Sequence, residues 1–146
     1  MKISAKGRYA LVAMTHLAQN FNSDTPITIM SISNKFGISK IYLEQVFSLL
    51  KHERLVNSIK GSQGGYQLAR KPSEITVYNI FSASESSLME STLSDSTFQE
   101  LNKAINDCVY SPLDEQIFEF LKSVTLEDIL NALSKEMNTS SMMYFI

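Results

Sequence analysis

Three of the five glycines in the sequence lie in one short stretch, NSIKGSQGGYQLARKP, with Lys60 before them and Arg70 and Lys71 after them. Backbone without side chains can approach phosphate oxygens closely, and neighbouring cations can neutralise their charge. The stretch is therefore compatible with two kinds of chemistry. It could cradle the phosphates of a nucleotide, or it could form a hairpin tip that contacts a nucleic-acid backbone.

The spacing of the glycines separates these alternatives. A nucleotide cradle requires G-x-x-x-x-G-K-[ST] or G-x-G-x-x-G between a strand and a helix, and this loop fits neither pattern. The flanking runs LVNSI and YQLA are typical of short strands, so the stretch is predicted to be a β-hairpin. The predicted contact residues at its tip are Lys60, Gly61, Ser62 and Gln63.

Three predicted helices precede this hairpin. The first covers residues 4–20; the second begins after Thr28 as N-cap and stops at Gly37; the third begins after Ser39. In the third helix an apolar stripe recurs at helical spacing, at Leu43, Val46, Phe47 and Leu50. Two helices joined by a short glycine-containing turn and followed by a basic hairpin predict a winged helix-turn-helix. The expected fold class is mainly α with a small β-hairpin wing.

Charge is distributed unevenly along the chain. Up to Lys71 there are ten basic and three acidic residues, a net charge of +7, whereas beyond it three basic residues face twelve acidic ones, a net charge of −9. Such a division favours a polyanionic partner for the first half, although unevenly distributed solvated charges are the alternative.

The second half is predicted to be helical and to support self-association. Residues 1–80 are expected to form the winged-helix domain, 81–97 a mobile serine-rich linker, and 98–146 a helical dimerisation and signal-response region. Ser111 is the predicted N-cap of a helix with Pro112 at its first position, and Thr125 with Asp128 is predicted to cap the next helix. The apolar face proposed for the dimer consists of Leu113, Ile117, Phe120, Leu121 and Val124.

Composition excludes several classes of protein. The single cysteine, Cys108, cannot form an intramolecular disulfide or a multi-cysteine metal site. The first residues include no apolar segment of signal-peptide length, and no run approaches the roughly twenty apolar residues of a membrane span. We therefore expect a cytoplasmic protein without membrane contact. No catalytic nucleophile–base pair or metal-ligand spacing is present, so an enzyme is not expected.

Four segments, MKISAKGRYAL, YLEQVFSLLK, LVNSIKGSQGGYQLAR and SVTLEDIL, closely resemble the Rrf2-type winged-helix transcriptional regulators. This family includes repressors of iron–sulfur cluster assembly, of nitric oxide responses and of cysteine metabolism. The resemblance covers nearly the whole chain and is weakest over residues 82–111. It implies a bacterial homodimer that binds double-stranded DNA at a two-fold symmetric operator.

The resemblance also implies roles for individual residues. The base-reading positions fall on Ser39, Tyr42, Glu44 and Gln45, and the positions that contact the DNA backbone fall on Lys2, Lys6, Arg8, Lys40 and the hairpin tip. A glutamate can accept a hydrogen bond from the cytosine amino group, and a glutamine can pair with adenine. The alternative for Glu44 is an exposed ion pair one helical turn away. Lys60 stands where many family members carry an arginine.

Members of the family that hold an iron–sulfur cluster have three closely placed cysteines, whereas this chain has only Cys108. We therefore predict no cluster and no other cofactor. Cys108 could be a redox-sensing thiol, but its place on the apolar stripe from Phe98 to Val109 favours a small buried side chain.

The carboxyl end suggests a further partner. The cysteine-metabolism repressors of the family resemble this chain in ending with aromatic residues and isoleucine, and their corepressor is a cysteine-synthesis enzyme. Tyr144, Phe145 and Ile146 could form a docking peptide for such an enzyme, or an apolar tail that packs across the dimer. The sequence thus predicts a homodimeric repressor that responds to a redox or cysteine/sulfur signal. The alternative is a protein-interaction adaptor that acts on a metabolic enzyme through this tail.

Overall fold

The computed structural model of the protein describes residues 2–90 and 96–144, which form seven α-helices and one two-stranded antiparallel sheet. The helices are α1 (Ala5–Gln19), α2 (Ile29–Phe36), α3 (Lys40–His52), α4 (Val77–Ser84), α5 (Gln99–Ile105), α6 (Ser111–Ser123) and α7 (Leu126–Tyr144), and the strands are β1 (Val56–Ile59) and β2 (Gly65–Leu68). Single 3-10 turns lie at Pro72–Glu74, Ser86–Met89 and Ser96–Phe98. The order α1, α2, α3, β1, β2 confirms the predicted winged helix-turn-helix.

The turn between α2 and α3 follows local capping rules. Thr28 Oγ1 accepts a hydrogen bond of 3.1 Å from the backbone N–H of Ser31, which fixes the start of α2. The helix stops at Gly37, whose φ of 65° lies in the left-handed region that favours glycine. Ser39 occupies the N-cap position of α3, but its side chain accepts no capping hydrogen bond. The predicted helix ends are confirmed, whereas capping by Ser39 is not.

One hydrophobic core supports the helix-turn-helix and includes the later helices. The predicted inward stripe of α3 is confirmed, since all four of its residues are fully buried: Leu43, Val46, Phe47 and Leu50. Met14 of α1, Ile80 of α4, Leu121 of α6 and Leu126 of α7 belong to the same cluster. Burying each side chain of this size contributes about 1.5–3 kcal/mol. Helices α6 and α7 therefore help to hold α3 in place.

The wing is a short hairpin in which Val56 pairs with Leu68 and Ile59 with Gly65. A third segment extends it, because Ile27 and Tyr66 exchange backbone hydrogen bonds of 3.0 and 2.7 Å. At Gly65 an added Cβ would lie 2.6 Å from the Ile27 carbonyl oxygen, so this close approach requires glycine. The Tyr66 ring also packs on Phe47 with ring centroids 4.5 Å apart, which anchors the wing to α3.

Backbone pairing joins the first residues of α4 and α7. Val77 donates to the Val124 carbonyl and Leu126 donates to the Ile75 carbonyl, both at 2.9 Å. The predicted capping of the last helix is confirmed, since Thr125 and Asp128 hydrogen-bond to each other in both directions.

The predicted linker, 81–97, overlaps ordered structure. Its first four residues complete α4, with Phe81 buried in the core, and the 3-10 turn Ser86–Met89 follows. Residues 91–95 lie outside the described part of the chain. The division into a DNA-binding part and a signal-response part stays a prediction.

The prediction that Ser111 caps a new helix is wrong. Helices α5 and α6 are joined by a π-helical segment, Asn106–Tyr110, and Ser111 itself has helical backbone angles. Pro112 has no N–H to donate to the preceding turn, and its ring would crowd the carbonyl of that turn in a regular α-helix. A widened turn directly before a proline relieves this conflict, so the chain continues as one helical run over residues 99–123.

The predicted dimer face is also divided by the structure. Leu121 is buried in the core, and Ile117 and Val124 pack against it. Leu113 and Phe120 point outward, with 54% and 66% of their surfaces exposed. Only these two residues of the predicted face are therefore free to meet a partner.

Cys108 was expected to be a buried side chain, and in the single chain this expectation is wrong. Its thiol is exposed on the π-helical segment. Phe98, Leu101 and Val109 of the same predicted stripe are exposed as well. The stripe is apolar in sequence but lies on the outer side of the helical run.

Candidate nucleic-acid interface

The outward face of α3 forms one side of an open groove. Its lining residues come from α1 and α3: Lys6, Ile41, Glu44, Gln45, Ser48 and Leu49. They lie opposite the buried stripe of α3, so packing of that stripe fixes which side chains face outward. The groove brings a cation from the first helix together with Glu44 and Gln45, two of the four residues expected to read bases.

Glu44 makes the ion pair that was considered as its alternative role. Its Oε1 lies 3.7 Å from Lys40 Nζ, and about half of each side chain is exposed, 52% in both cases. An exposed pair of this kind contributes little to stability, roughly 0.3–0.5 kcal/mol. Because the ion pair is weak, Glu44 can leave Lys40 and bind another partner.

Tyr42 lies differently from the other predicted base-reading residues. It is half-buried, and its ring meets that of Tyr9 edge to face with centroids 5.3 Å apart. The contact joins α3 to α1 near the amino end of both helices. Tyr42 therefore has a positioning role in the fold, whatever its hydroxyl contacts.

The basic residues at the amino end lie on two sides of α1. Lys2 is exposed, and Lys6 reaches the α3 groove. Arg8 instead lines a second, largely apolar groove with Val12, His16 and Leu133. The structure thus groups Lys6 with the predicted base-reading residues and places Arg8 apart from them.

The wing tip presents the predicted contact residues to solvent. Lys60, Gly61, Ser62 and Gln63 are all exposed. Gly61 has a φ of 108°, a conformation that residues with a side chain rarely adopt. The tip can therefore place backbone N–H groups and one cation against a flat or convex surface.

Ile41 is a residue of this groove that the sequence reasoning missed. It lies in the first turn of α3 with 69% of its surface exposed, on the groove that contains Glu44 and Gln45. A single exposed apolar residue is common on protein surfaces, so it is the position of Ile41 beside Glu44 and Gln45 that makes it a candidate contact residue. The sequence indicated only that Ile41 lies outside the inward stripe, because it does not share the spacing of Leu43, Val46 and Leu50.

The residues present do not fit an iron–sulfur cluster. Cys108 is the single cysteine, and cysteine-held clusters require several thiolates. Within residues 2–90 and 96–144, no three His, Cys, Asp or Glu side chains come together as a metal site. Over the same residues, no helix is long and apolar enough to cross a membrane.

Comparison with known proteins agrees with the observed fold. The model of the family Rrf2, described as iron-dependent transcriptional regulator, matches residues 3–132. The regulator IscR of Klebsiella pneumoniae is 36% identical over 133 residues, which are 90% of this chain and 80% of that protein.

Two solved structures are similar over nearly their whole length. T. potens IscR has a TM-score of 0.72 and 35% identity, covering 91% of this chain and 88% of its own. CymR, the global cysteine regulator of B. subtilis, has a TM-score of 0.72 and 34% identity, covering 90% of this chain and 98% of its own. The chain therefore belongs to the Rrf2 family of DNA-binding, winged-helix transcriptional regulators, which are not enzymes.

Proposed function

We propose that the protein is a homodimeric repressor that reads a two-fold symmetric DNA site with the outward face of α3. The observation that carries this proposal is the groove in which Lys6 of α1 lies beside Glu44 and Gln45 of α3. A helix of this kind fits the major groove, where base edges can be distinguished, while flanking cations contact phosphates. Such a regulator would act in the cytoplasm, where the bacterial genome lies.

Three of the outward side chains of α3, those of Ile41, Glu44 and Gln45, suit different base edges. The Glu44 carboxylate can accept from a cytosine amino group, and the Gln45 amide can pair with adenine. The exposed Ile41 side chain suits the methyl group of thymine, which is an apolar contact in the same groove. Each good contact of this kind contributes about 1–3 kcal/mol of discrimination. Ser39, at the N-cap of α3, is proposed as a further polar contact.

Lys2, Lys6, Lys40 and the wing tip are proposed to contact the phosphate backbone, and Arg8, which lines the other groove, is proposed as a weaker contact. Such contacts release counterions from DNA and make binding depend on salt rather than on base sequence. Lys60 supplies a cation at the tip, although a lysine lacks the planar fork with which an arginine recognises two acceptors. The wing is therefore assigned to the backbone.

A second copy of the chain is the proposed partner of the apolar outer face on residues 98–123. This face consists of Phe98, Leu101, Val109, Leu113 and Phe120, each at least half exposed. Apolar residues in a row on one helical run are typical of an interface between subunits. Two chains related by a two-fold axis present two copies of α3, which matches a palindromic operator.

Cys108 is the proposed redox sensor. Its exposed thiol lies next to Val109 on the proposed dimer face. A disulfide between the Cys108 thiols of two chains, formed when an oxidant such as a peroxide takes their two electrons and two protons, would alter how the subunits meet. Similarity to a global cysteine regulator supports a sulfur-related signal.

The carboxyl end is a proposed docking element for a cysteine-synthesis enzyme. Phe145 and Ile146 lie outside the described residues, but Met137, Met142 and Met143 before them are exposed on α7. An apolar, methionine-rich helix end suits contact with a second protein. If this contact, and not DNA, carried the activity, the protein would be an adaptor. Deletion of the tail would then abolish function in a chain with negligible DNA affinity.

The proposed DNA binding is tested by fluorescence anisotropy of the reduced protein on a duplex from upstream of its own gene. A scrambled duplex of the same length and composition is the control, and both are measured at several salt concentrations. We expect preferential binding to the natural duplex and a log–log salt slope of about −0.9 for each phosphate contact. Equal affinity for both duplexes would contradict sequence-specific binding by the protein alone.

A further inference from the structure

The first turn of α1 has an incomplete capping arrangement of its own. Ser4 is the N-cap, and its Oγ accepts a hydrogen bond of 3.2 Å from the Gly7 N–H. In a complete capping box the residue at the position of Gly7 is a glutamate or glutamine, whose side chain accepts from the N–H of the cap residue. Glycine has no side chain with which to do this.

Glu85 supplies the missing acceptor from the end of α4. Its Oε1 accepts from the Ser4 N–H at 2.8 Å and from the Ser4 hydroxyl at 2.6 Å, across 81 positions of sequence. Only 6% of the Glu85 surface is exposed. A Cβ added to Gly7 would overlap this carboxylate, so the absence of a side chain there makes room for it. Negative charge at the amino end of a helix is electrostatically favourable.

We propose that Glu85 is a positioning residue for DNA binding, which holds the first turn of α1 so that Lys2 and Lys6 face the DNA backbone. Lys6 lies between Ser4 and Gly7, the two residues that the carboxylate fixes, and it reaches the α3 groove. Lys2 lies two residues before Ser4. The role assigned to Glu85 rests on the proposed DNA binding.

The same interaction links α4 to the DNA-contacting surface. The Glu85 N–H donates to the Phe81 carbonyl at 2.7 Å, so Glu85 is itself held at the carboxyl end of α4. A shift of that end would withdraw the acceptor from Ser4 and release the first turn of α1. Glu85 thereby couples the segment after α4 to the cations at the amino end.

A purely structural role for Glu85 would alter stability but not the number of phosphates that the protein neutralises. The log–log slope of DNA affinity against salt measures that number, whereas a melting temperature does not. Asp128 provides a matched control, because its Oδ2 accepts from the N–H and the hydroxyl of Thr125 at 2.9 and 3.0 Å in the same pattern. That carboxylate caps α7 and lies away from Lys2 and Lys6 in the chain.

The experiment compares wild type, Glu85→Leu, Glu85→Gln and the control Asp128→Leu by anisotropy at several salt concentrations and by thermal melting. Glu85→Leu removes the acceptor. For each phosphate that this variant no longer neutralises, we expect affinity to fall roughly tenfold at 0.1 M salt and the slope to decrease by about 0.9. Natural and scrambled duplexes should be affected equally. Glu85→Gln keeps one acceptor oxygen and should recover part of the affinity, and Asp128→Leu should keep the wild-type slope.

Gly7→Ala is the second route to the same result, because its methyl group displaces the carboxylate without removing it. Gly7→Ala should reduce DNA affinity and the salt slope even though alanine favours helix formation. If Glu85→Leu does not fold, this variant provides the test of the positioning role. Wild-type affinity and slope in a folded Glu85 variant, or in Gly7→Ala, would overturn the positioning role. Failure of the wild type to bind DNA with a salt dependence would overturn the proposed DNA binding itself, and the positioning role with it.

Discussion

Lys40 Nζ lies 3.7 Å from Glu44 Oε1, one turn apart on the exposed side of α3. The pair holds the carboxylate of a predicted base-reading residue beside a predicted phosphate-contacting residue while the site is free. Because the pair is exposed and weak, DNA can separate it at little cost. Lys40 would then turn to phosphate and Glu44 to a base edge.

Glu44→Ala is expected to change which DNA is preferred. The loss of the carboxylate removes an acceptor for one base edge, so discrimination at that position should fall by about 1–3 kcal/mol. Lys6→Ala should instead weaken binding to all sequences and reduce the salt slope by about 1. Arg8→Ala is the control for loss of a cation from α1, since Arg8 lines the other groove and should have the smaller effect. Competition anisotropy with single-base operator variants measures the DNA preference of all three protein variants. Identical behaviour of Glu44→Ala and Lys6→Ala would refute the assignment of Glu44 to a base and Lys6 to a phosphate.

Ile41 is expected to contact a thymine methyl group. Replacing one operator thymine with uracil removes only that methyl, and affinity should fall by about 0.8 kcal/mol, the contribution of one buried methylene-sized group. Ile41→Ala should bind the thymine and uracil duplexes equally. Scanning uracil through every thymine of the operator provides the internal control. A wild-type protein insensitive to uracil at all positions would show that Ile41 has another partner.

Leu113→Glu and Phe120→Glu are each expected to break the dimer, because they place a charge in an apolar interface. Asn131→Glu adds the same charge at an exposed position of α7, outside the proposed face, and is the matched control. Sedimentation equilibrium should give twice the 16.4 kDa chain mass for wild type and control, and a shift toward the single-chain mass for the two variants. A wild type that sediments as a single chain would contradict the proposed interface.

Arg54→Gly is expected to stabilise the fold. Arg54 has a φ of 57°, the left-handed region that disfavours a side chain, in the turn between α3 and β1. Relief of that strain should stabilise the folded state by more than the flexibility of glycine stabilises the unfolded state. The free energy of unfolding should therefore rise by about 0.5–1 kcal/mol. Arg70→Gly, at an exposed arginine without a positive φ, should be neutral or destabilising in the same urea titrations. If Arg54→Gly instead lowered the free energy of unfolding, the arginine side chain would make a contact that stabilises the fold by more than the backbone strain destabilises it.

His16 is expected to make stability depend on pH below neutrality. Its burial, and next the nearby charge of Lys35, lower the pKa of His16 from its ordinary value of 6.5. The unfolded state therefore binds a proton at His16 more readily than the folded state does. The stability that neutral His16 contributes is complete above pH 6.5, and the free energy of unfolding decreases as the pH falls through and below that value. Arg8 lines the same groove as His16 and adds a further positive charge there.

Melting temperatures between pH 8 and pH 5 test this dependence. His16→Gln should show a smaller decrease on acidification than wild type. His52→Gln removes the other histidine and is the control for loss of one imidazole. Identical pH profiles for wild type and His16→Gln would exclude His16 as the cause.

Local capping and periodicity were sufficient to predict the helix-turn-helix and the wing. The start at Thr28, the stop at Gly37 and the buried stripe of α3 depend only on neighbouring residues. The pairing of Thr125 with Asp128 is local in the same way.

The incorrect or missed predictions concern residues whose placement depends on contacts beyond their immediate sequence neighbours. Pro112 with Ser111 matches a helix start in sequence, but the preceding π-helical segment allows the helix to continue. The apolar face of α6 is wide, and only its packing on the core shows that Leu121 is buried whereas Phe120 faces outward. The hydrogen bond between Ser4 and Glu85 spans 81 positions and follows no periodic pattern, so no local rule could have found it.

Selection of binding sites from a random DNA library, with wild type and Glu44→Ala in parallel, tests the central claim most directly. We predict that wild type enriches a palindrome whose half-sites are one helical turn, about 10 base pairs, or a multiple of it apart. Glu44→Ala should relax or change the preferred base at the same position of both half-sites. Enrichment of no common sequence by the wild type, or the same motif from both proteins, would contradict the reading of DNA by the outward face of α3.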